Sequence, residues 1–341
     1  MMKRNWKRYG ALLALAGLIV LTQSSLVAGQ PERPVTMKYD YQQAIFERDG
    51  HIYLYNELNK SVKELGDPNS LKYMPFASSD LLRVAFGYTD YASEEGGLKL
   101  GVYYRLDDKT VDITIPTAYS NAILALDWID ENTLGVEGHV NPSTSEYFVV
   151  DIPTGTVTKS YAGALFTALP GGSIFYRGHI PYGQELEVKD SYYVDDTLVY
   201  VSDEPETTLS YPQFSKDLTK VAFVEKSDIG PSKLVYGSWN VAAKQLAAVT
   251  KTPIADGVGG TLQFVDNEQV PSIVQETGVM TLNPSTQSLA PHMSVQQQQT
   301  GEILKLETEY KLEALNKSLK AEFGDSMDKE FANIQSLQWF K

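Results

Sequence analysis

The sequence contains no cysteine. This absence excludes disulfide bonds, and it also excludes a lipid anchor on a cysteine next to an export signal. Without the export signal described below, a chain of about 310 residues remains, which is long enough to bury a core unaided. We therefore expect stability to come from packing alone.

Positive charge is scarce as well. The chain has 29 Lys and Arg against 43 Asp and Glu, which gives a net charge of −14. Residues 1–29 carry four basic and no acidic residues, so their removal takes the net charge to −18. Such a surface repels nucleic acids and anionic membranes, and neither is expected as a partner.

Motifs that carry chemistry are also missing. There is no G-x-S-x-G nucleophile motif, and the four histidines are far apart with no metal-binding spacing. The acidic stretch 127–132 lacks the spacing of a calcium loop, and we expect it to cap a turn. The sequence therefore predicts no catalytic residue, no metal site and no cofactor.

The stretch 211–225 (YPQFSKDLTKVAFVE) predicts a strand, a tight turn and a second strand. Pro212 suits the start of a strand, because it cannot donate a ladder hydrogen bond. Ser215 and Asp217 favour a tight turn. The apolar run VAFV at 221–224 does not alternate with polar residues, which predicts a strand buried on both faces.

This plan recurs along the chain. Residues 73–86 (YMPFASSDLLRVAF) repeat the order proline, aromatic residue, Ser and Asp turn, basic residue and apolar strand. Looser copies lie at 126–136, 166–176 and 262–273. Equivalent positions are spaced by 52, 40, 46 and 50 residues, and they are Phe76, Trp128, Ala168, Phe214 and Phe264. A period of this length is typical of a four-stranded propeller blade.

The repeat P-x-[FW]-S-x-D-x-x-K/R-[VI]-A-F resembles that of TolB-type β-propellers. The residues that carry the resemblance are Pro212, Phe214, Ser215, Asp217, Lys220, Val221, Ala222 and Phe223, and Pro75, Phe76, Ser78, Asp80, Arg83, Val84, Ala85 and Phe86. The glycine usual after the aspartate in this family is Leu218 in one copy and Leu81 in the other. The resemblance covers residues 42–291 and implies an all-β, six-bladed β-propeller. TolB has an α/β domain before its propeller, for which too few residues precede position 42, so its partners are not carried over.

The first blade is predicted from 44–65, where Asp49-Gly50 marks a hairpin between strands. Its inner strand comes either from 35–41 or from the other end of the chain, and the sequence leaves both open. With the five copies above, this unit makes six blades. A β-sandwich is the main alternative fold, but sandwiches lack a repeat of this length with a recurring aromatic-Ser-Asp turn.

Residues 1–29 have the pattern of a secretory signal peptide, with a basic start, an apolar core at 11–21 and small residues at Val27 and Gly29. We expect a cleaved, secreted or extracytoplasmic protein, with an uncleaved N-terminal anchor as the alternative. Residues 30–41 are expected to form a linker.

Residues 292–341 are predicted to form a short helical appendage after the propeller. Apolar residues recur there at helical spacing. They are Ile303, Leu306, Tyr310, Leu315, Leu319 and Phe323, followed by Met327, Phe331, Ile334 and Leu337. Because the pattern slips and breaks at Gly324, we expect these helices to pack on their own propeller in a monomer. Association with a second chain is the alternative.

Loops of variable length are predicted at 87–97, 138–145, 178–184 and 226–232, and such loops on a regular scaffold commonly carry binding. Candidate binding residues on them are Tyr88, Tyr91, His139, His179 and Tyr182. The predicted function is an exported, non-catalytic propeller that binds a protein, peptide or glycan at the cell envelope. The alternative is a propeller hydrolase or lyase with a polar or metal-assisted site in a central channel.

Overall fold

The computed structural model describes residues 43–56, 58–89, 97–178, 190–202, 207–227, 230–255, 261–264, 269–275, 278–283, 286–291 and 334–340. Over these residues the fold is all-β, as predicted, and its strands are joined by turns. The described residues divide into two compact units. The first contains 43–139, 148–159 and 334–340, and the second contains 140–147 and the described part of 160–291.

The strands form five antiparallel sheets. The first has the order β24-β1-β2-β3, from β1 (Gln43–Arg48), β2 (His51–Asn56), β3 (Ser61–Leu65) and β24 (Ile334–Phe340). The second has the order β4-β5-β6-β7, from β4 (Leu71–Ala77), β5 (Arg83–Thr89), β6 (Leu98–Tyr104) and β7 (Lys109–Ile115).

The third sheet contains β8 to β14 in chain order. Its strands are β8 (Ile123–Trp128), β9 (Thr133–Asn141), β10 (Thr144–Asp151), β11 (Thr156–Ala168), β12 (Ile174–Gly178), β13 (Ser191–Val194) and β14 (Thr197–Val201). β11 is the longest strand, and its pairing with β12 shifts register between Ala164 and Thr167, where Leu165 has a φ of +57°. The sheet is thus two successive four-stranded meanders that share β11.

The fourth sheet, called the Glu225 sheet below, has the order β15-β17-β18-β19, and β16 also pairs with β17. Its strands are β15 (Thr207–Leu209), β16 (Gln213–Phe214), β17 (Lys220–Ser227), β18 (Lys233–Asn240) and β19 (Gln245–Pro253). The last sheet follows chain order, with β20 (Thr261–Phe264), β21 (Pro271–Gln275), β22 (Gly278–Asn283) and β23 (Ser288–Pro291). Within the described residues, the first, second and last sheets thus have four strands each, the third has seven and the fourth has five.

The sequence left the inner strand of the first predicted blade open between two sources. In the structure, β24 from the far end of the chain pairs antiparallel with β1. The helix predicted over Ile334 and Leu337 is therefore wrong for Ile334–Phe340. Apolar residues three apart in so short a segment fit either period, and the open edge of β1, a strand buried along Ala44–Phe46, favours a strand partner. Gln338 joins β24 to β4, since its amide accepts from Ala77 N (3.1 Å) and donates to Pro75 O (2.9 Å). The rest of the predicted helical segment lies outside the described residues.

The apolar runs predicted to be buried on both faces are buried on both faces. In β17, Val221 and Phe223 pack in one core cluster with Leu209 and Val235, and Ala222 packs in another on the opposite face. The second sheet repeats this arrangement, because the β5 residues Val84, Ala85 and Phe86 also divide between two clusters. Phe214, by contrast, is only partly buried at the margin of its cluster.

The aromatic-Ser-Asp turn has the same structure in both well-matched copies. In the copy at 215–220, the Ser215 hydroxyl donates to Asp217 Oδ1 (2.7 Å) and accepts from Lys220 N (2.9 Å). Leu218, where the family usually has glycine, has a φ of +58°.

In the copy at 78–83, the Ser78 hydroxyl donates to Asp80 Oδ1 (2.5 Å) and accepts from Arg83 N (3.0 Å). Leu81 takes the place of Leu218 and has a φ of +59°. The Ser and Asp positions of the repeat are therefore confirmed at these two turns. The equivalence of Phe76 and Phe214 is not, because Phe214 lies opposite Val221 whereas Ala77 lies opposite Val84.

Candidate functional site

Two of the five predicted binding residues lie among the described residues, and both are on strands rather than loops. Tyr88 belongs to β5 and packs, half-buried, against the core cluster of the first and second sheets. His139 belongs to β9, where its N–H donates to Ala122 O (2.8 Å) and its ring Nδ1 lies 3.3 Å from Asn121 Oδ1. Tyr91, His179 and Tyr182 lie outside the described residues.

The variable loop predicted at 138–145 is much shorter in the structure. β9 continues to Asn141 and β10 begins at Thr144, so only Pro142 and Ser143 connect them. Asn141 Oδ1 accepts from Ser143 N (2.9 Å), which closes a tight turn. The stretch predicted as a loop is mostly a hairpin.

The acidic stretch at 127–132 caps a turn, as predicted. Asp130 Oδ1 accepts from Asn132 N (2.8 Å), and Ile129 N donates to Thr133 O (3.0 Å). Asp127, on β8, lies apart from this turn, and burial raises its pKa to about 6. In the described parts of the chain, no group of three or more His, Asp or Glu side chains is placed to hold a metal ion.

The two ends of the Glu225 sheet differ in construction. We call the end with the 215–219 turn its turn end, and the opposite end, where β17 is followed by residues 228–232, its loop end. At the turn end, Asp217 Oδ1 accepts hydrogen bonds from the Ser215 hydroxyl and from Thr219 N. These hydrogen bonds lower the pKa of Asp217 to about 2. Asp217 Oδ2 also accepts from Gln269 Nε2 (3.0 Å), which ties the turn to the chain before β21.

The turn end also has an ionic contact, between Asp195 and Lys244. Asp195 lies between β13 and β14, and its carboxylate accepts from Lys244 Nζ (2.6 Å), Ile174 N (3.1 Å) and the Tyr161 hydroxyl (2.9 Å). Burial acts to raise the pKa of Asp195, but the hydrogen bonds from Lys244, Ile174 and Tyr161 outweigh it and hold the pKa at about 2. The same arrangement raises the pKa of Tyr161 through burial and its bond to Asp195.

The loop end carries a shallow depression that the sequence analysis missed. Its lining residues are Thr207, Glu225, Ser227, Pro231 and Lys233, and we call it the Glu225 depression. The depression is open to solvent and encloses room for only about one water molecule. Pockets that enclose a whole small molecule are commonly about 300–1,000 Å³, so the depression does not enclose one.

Strand register explains why these side chains meet. Thr207 lies opposite Ser227, and Glu225 lies opposite Lys233. Directly opposite residues, and residues two apart on one strand, share a sheet face. Lys251 joins the same face because it lies opposite Val235, two residues after Lys233.

Glu225 is the buried centre of this cluster, with 3% of its surface exposed. Its Oε1 accepts from the Tyr200 hydroxyl (2.5 Å), and Lys251 Nζ contacts both carboxylate oxygens at 3.1 and 3.3 Å. Lys251 also lies over the Tyr200 ring, 5.1 Å from its centroid. A buried carboxylate needs such partners, because an unpaired charge there is costly.

Arg177, on β12, and Asp190, next to β13, make a similar ionic contact near β15. Arg177 contacts Asp190 Oδ2 (3.4 Å) and donates to Leu209 O (3.3 Å), while Asp190 Oδ2 accepts from Leu209 N (3.1 Å). These contacts fix the edge of β15 two residues from Thr207. Burial raises the pKa of the adjacent Tyr192 well above its usual value.

The signal for this site in the sequence is the stretch 225–233 (EKSDIGPSK), where polar and charged residues follow the buried VAFV run. The contributions of Tyr200, Thr207 and Lys251 have no local signal, because they come from three other strands. The arrangement offers a compensated carboxylate, two ammonium groups and two hydroxyls. It is suited to polar recognition. Across the described residues, no helix is long and apolar enough to cross a membrane.

No protein-family model and no curated protein matches the sequence. Solved structures do match, among them dipeptidyl peptidase 4 of Porphyromonas gingivalis, with 11% identity and a TM-score of 0.51. That match covers 74% of this chain and 44% of the peptidase, so the chain spans less than half of the peptidase's length.

Two further matches have TM-scores of 0.43. The β-propeller domain of the Trilobed protease from Pyrococcus furiosus is 14% identical, over 74% of this chain and 81% of that one. Oligogalacturonate lyase from Vibrio parahaemolyticus is 13% identical, over 71% of this chain and 70% of that one. At such identities the likeness concerns the fold alone.

Proposed function

We propose that the chain is an exported, TolB-like, six-bladed β-propeller that binds a protein, peptide or glycan ligand at the cell envelope. Support for six blades comes from the five sheets, of which the seven-stranded third divides into two four-stranded meanders that share β11, and from the pairing of β24 with β1 in the first sheet. Support for the TolB-like type comes from the two matched Ser-Asp turns and the positive φ at Leu81 and Leu218.

The difference between the two ends of the Glu225 sheet carries the proposal of binding. At the turn end, polar side chains satisfy the backbone of their own turn and the next one, and the second sheet repeats the plan. At the loop end, Glu225, Lys233 and their neighbours line a depression. Variable connections on a regular scaffold commonly carry binding, and a few placed polar groups fix the orientation of a bound ligand.

The enzyme alternative has less support. A peptidase is among the matching structures, but at 11% identity that likeness concerns only the fold. The carboxylate of the depression is engaged by Tyr200 and Lys251, which makes it a structural and electrostatic group rather than a nucleophile.

The test compares two charge reversals at opposite ends of the sheet. Lys233→Glu alters the depression, and Lys216→Glu makes the same charge change in the turn at 215–219. The mature protein and both variants are immobilised and used to capture ligands from envelope extract. We expect Lys233→Glu to lose a ligand that Lys216→Glu retains, whereas equal capture by both variants would contradict binding at the loop end.

Export and oligomeric state have separate tests. N-terminal sequencing of secreted protein is expected to give a start near Gln30, and Met1 retained on membrane-bound protein would contradict cleavage. Light scattering is expected to show a monomer. A dimer that becomes a soluble monomer when 300–333 is removed internally, with β24 retained, would contradict that state.

A further inference from the structure

An exposed tyrosine lies on the connection between β7 and β8. Among the described aromatic residues Tyr119 is the most exposed, at 71%. The hydroxyl oxygen of Thr117 accepts from Tyr119 N (3.1 Å) and from Ser120 N (3.0 Å). Because hydroxyls that bond nearby backbone N–H groups stabilise tight turns, the tyrosine ring is presented to solvent on a fixed backbone.

Two polar side chains meet just after this turn. Asn121 N donates to His139 O (3.1 Å) and His139 N donates to Ala122 O (2.8 Å), so backbone pairing places Asn121 beside His139. His139 Nδ1 lies 3.3 Å from Asn121 Oδ1, and the imidazole is the donor because an amide oxygen only accepts. The Asn121 amide nitrogen then remains a donor, and Nε2 of the neutral His139 ring remains an acceptor. Within the described part of the chain, neither of these atoms makes another hydrogen bond.

A close approach to β9 fixes the position of the turn. A Cβ atom at Gly138 would lie 2.7 Å from Ser120 Oγ and 2.8 Å from Leu98 Cδ1, so a side chain there would displace the connection. Tyr119 and Asn121 are two residues apart, which limits the distance between their Cα atoms to about 7 Å. The exposed ring and the polar pair are therefore within reach of one ligand.

We propose that Tyr119, Asn121 and His139 form a binding subsite for an uncharged sugar of a glycan. One face of a sugar ring carries C–H groups that pack on an aromatic ring, while its hydroxyls both donate and accept hydrogen bonds. Tyr119 supplies the ring, Asn121 the donor and His139 the acceptor. The subsite is separate in sequence from the Glu225 depression, and the inference does not depend on binding there.

The surroundings favour an uncharged sugar over the other ligand classes. A peptide that adds as a strand needs free backbone groups, whereas Asn121 N and Ala122 O are already bonded to His139. An acidic sugar is disfavoured because Glu137 lies two residues before His139 and shares its sheet face, in a chain of net charge −14. Peptide and acidic glycan binding are therefore outcomes of the test.

The test uses the mature protein and the uncharged hexasaccharides maltohexaose, cellohexaose and chitohexaose, each labelled with a dye at its reducing end. Hexagalacturonate and a peptide of alternating Gly and Ser, labelled with the same dye, are the comparisons. Fluorescence anisotropy gives the affinities. We expect an uncharged hexasaccharide to bind at least about fivefold more tightly than either comparison. No binding of any uncharged hexasaccharide at millimolar concentration, or tighter binding of hexagalacturonate or the peptide, would overturn the inference.

Variants of Tyr119 test the stacking role. Tyr119→Ala is expected to weaken hexasaccharide binding about tenfold, whereas Tyr119→Phe keeps the ring and is expected to change it less than about twofold. Tyr211→Ala is the matched control, because Tyr211 is the other exposed tyrosine, at 44%, and it should also change binding less than about twofold. Equal loss in Tyr119→Ala and Tyr211→Ala would contradict the subsite.

Two further variants test the polar pair and its placement. Asn121→Ala removes the donor and is expected to weaken binding about fivefold. Gly138→Ala removes no contact group but displaces the turn, so we expect weaker binding, whereas Gly230→Ala, whose Cβ would meet only Ser227 Oγ at 3.7 Å, should leave binding unchanged. Thermal melts show which variants are folded, and Asn121→Ala decides if Gly138→Ala is not. Unchanged binding by folded Asn121→Ala would overturn the inference.

The outcomes also separate this inference from the proposed function. Lys233→Glu is expected to leave hexasaccharide binding unchanged. If Lys233→Glu abolishes it and Tyr119→Ala does not, the glycan binds at the depression and the present inference fails alone. If hexasaccharide binding depends on Tyr119 while Lys233→Glu and Lys216→Glu capture equally from envelope extract, the proposed binding at the loop end fails alone.

Discussion

The turn end and the loop end of the Glu225 sheet are joined by the same strand, β17, yet their polar residues have different uses. Ser215 and Asp217 bind backbone groups of their own turn, and Ser78 and Asp80 do the same in the second sheet. Glu225 binds side chains from two other strands. The comparison indicates that repeated polar residues maintain the fold and that the non-repeated ones are available for function.

The largest expected effect concerns the core that supports both ends. Phe223 is fully buried between Tyr192 and Tyr200, with ring centroids 4.8 Å from each. We expect Phe223→Ala to lower the free energy of unfolding by about 3–5 kcal/mol. Chemical denaturation measures this, with Tyr119→Ala, at a 71% exposed position, as the control. Similar losses for both variants would contradict the core assignment.

Low pH is expected to lower the stability of the protein through Asp195, at the turn end. Its pKa is about 2 in the folded protein and 3.8 ordinarily. A depressed folded pKa gives stability that is present above about pH 4 and is lost as the pH falls towards 2. After allowance for solvent screening, we expect about 1–2 kcal/mol.

Unfolding at a series of pH values tests this effect in wild type and Asp195→Asn. Asp195→Asn should lack that part of the stability loss at low pH, whereas the control Asp196→Asn, at the exposed neighbouring position, should retain it. Parallel stability curves for wild type and Asp195→Asn would contradict the assignment.

A serine at each end of the sheet gives a matched pair. Ser215 is 1% exposed and its hydroxyl serves the turn, so Ser215→Ala is expected to cost about 1–2 kcal/mol. Ser227, at the loop end, is half-buried in the lining of the depression, and Ser227→Ala is expected to cost less than about 0.5 kcal/mol. Chemical denaturation measures both free energies of unfolding. A larger loss of stability in Ser227→Ala than in Ser215→Ala would contradict the comparison of the two ends.

The smallest expected effect is a gain in stability at Leu218. Leu218 has a φ of +58°, a conformation that costs a non-glycine residue about 1–2 kcal/mol, whereas glycine adopts it readily. Because glycine loses more entropy on folding and the half-buried leucine loses contacts, we expect Leu218→Gly to stabilise by only about 0.5 kcal/mol. Lys216→Gly, in the same turn without a positive φ, should destabilise by about as much. Destabilisation by both variants in thermal melts would contradict the conformational strain.

The parts of the fold that followed from sequence are those encoded locally. The Ser-Asp turns were predictable because their hydrogen bonds lie within six residues, and the burial of Val221–Phe223 was predictable because an unbroken apolar run has no polar face. Phe214, the aromatic residue of the repeat, is only partly buried, since its strand β16 has two residues at the sheet margin.

The parts that did not follow depend on distant pairing. Ile334 and Leu337 fit a helix as well as a strand, and only the open edge of β1 decides between them. Tyr88 and His139 were assigned to loops, but strand pairing extends through both. The Glu225 depression needs Tyr200, Thr207 and Lys251 from three separate strands, so no spacing in the sequence marks it.

The most direct test of the account is ligand capture from envelope extract by two variants, Ser215→Ala at the turn end and Lys233→Glu at the loop end. The account predicts that Ser215→Ala lowers the melting temperature and leaves capture unchanged, whereas Lys233→Glu loses the captured ligand. Loss of capture by Ser215→Ala at a temperature where it is folded, with unchanged capture by Lys233→Glu, would contradict the division between the two ends.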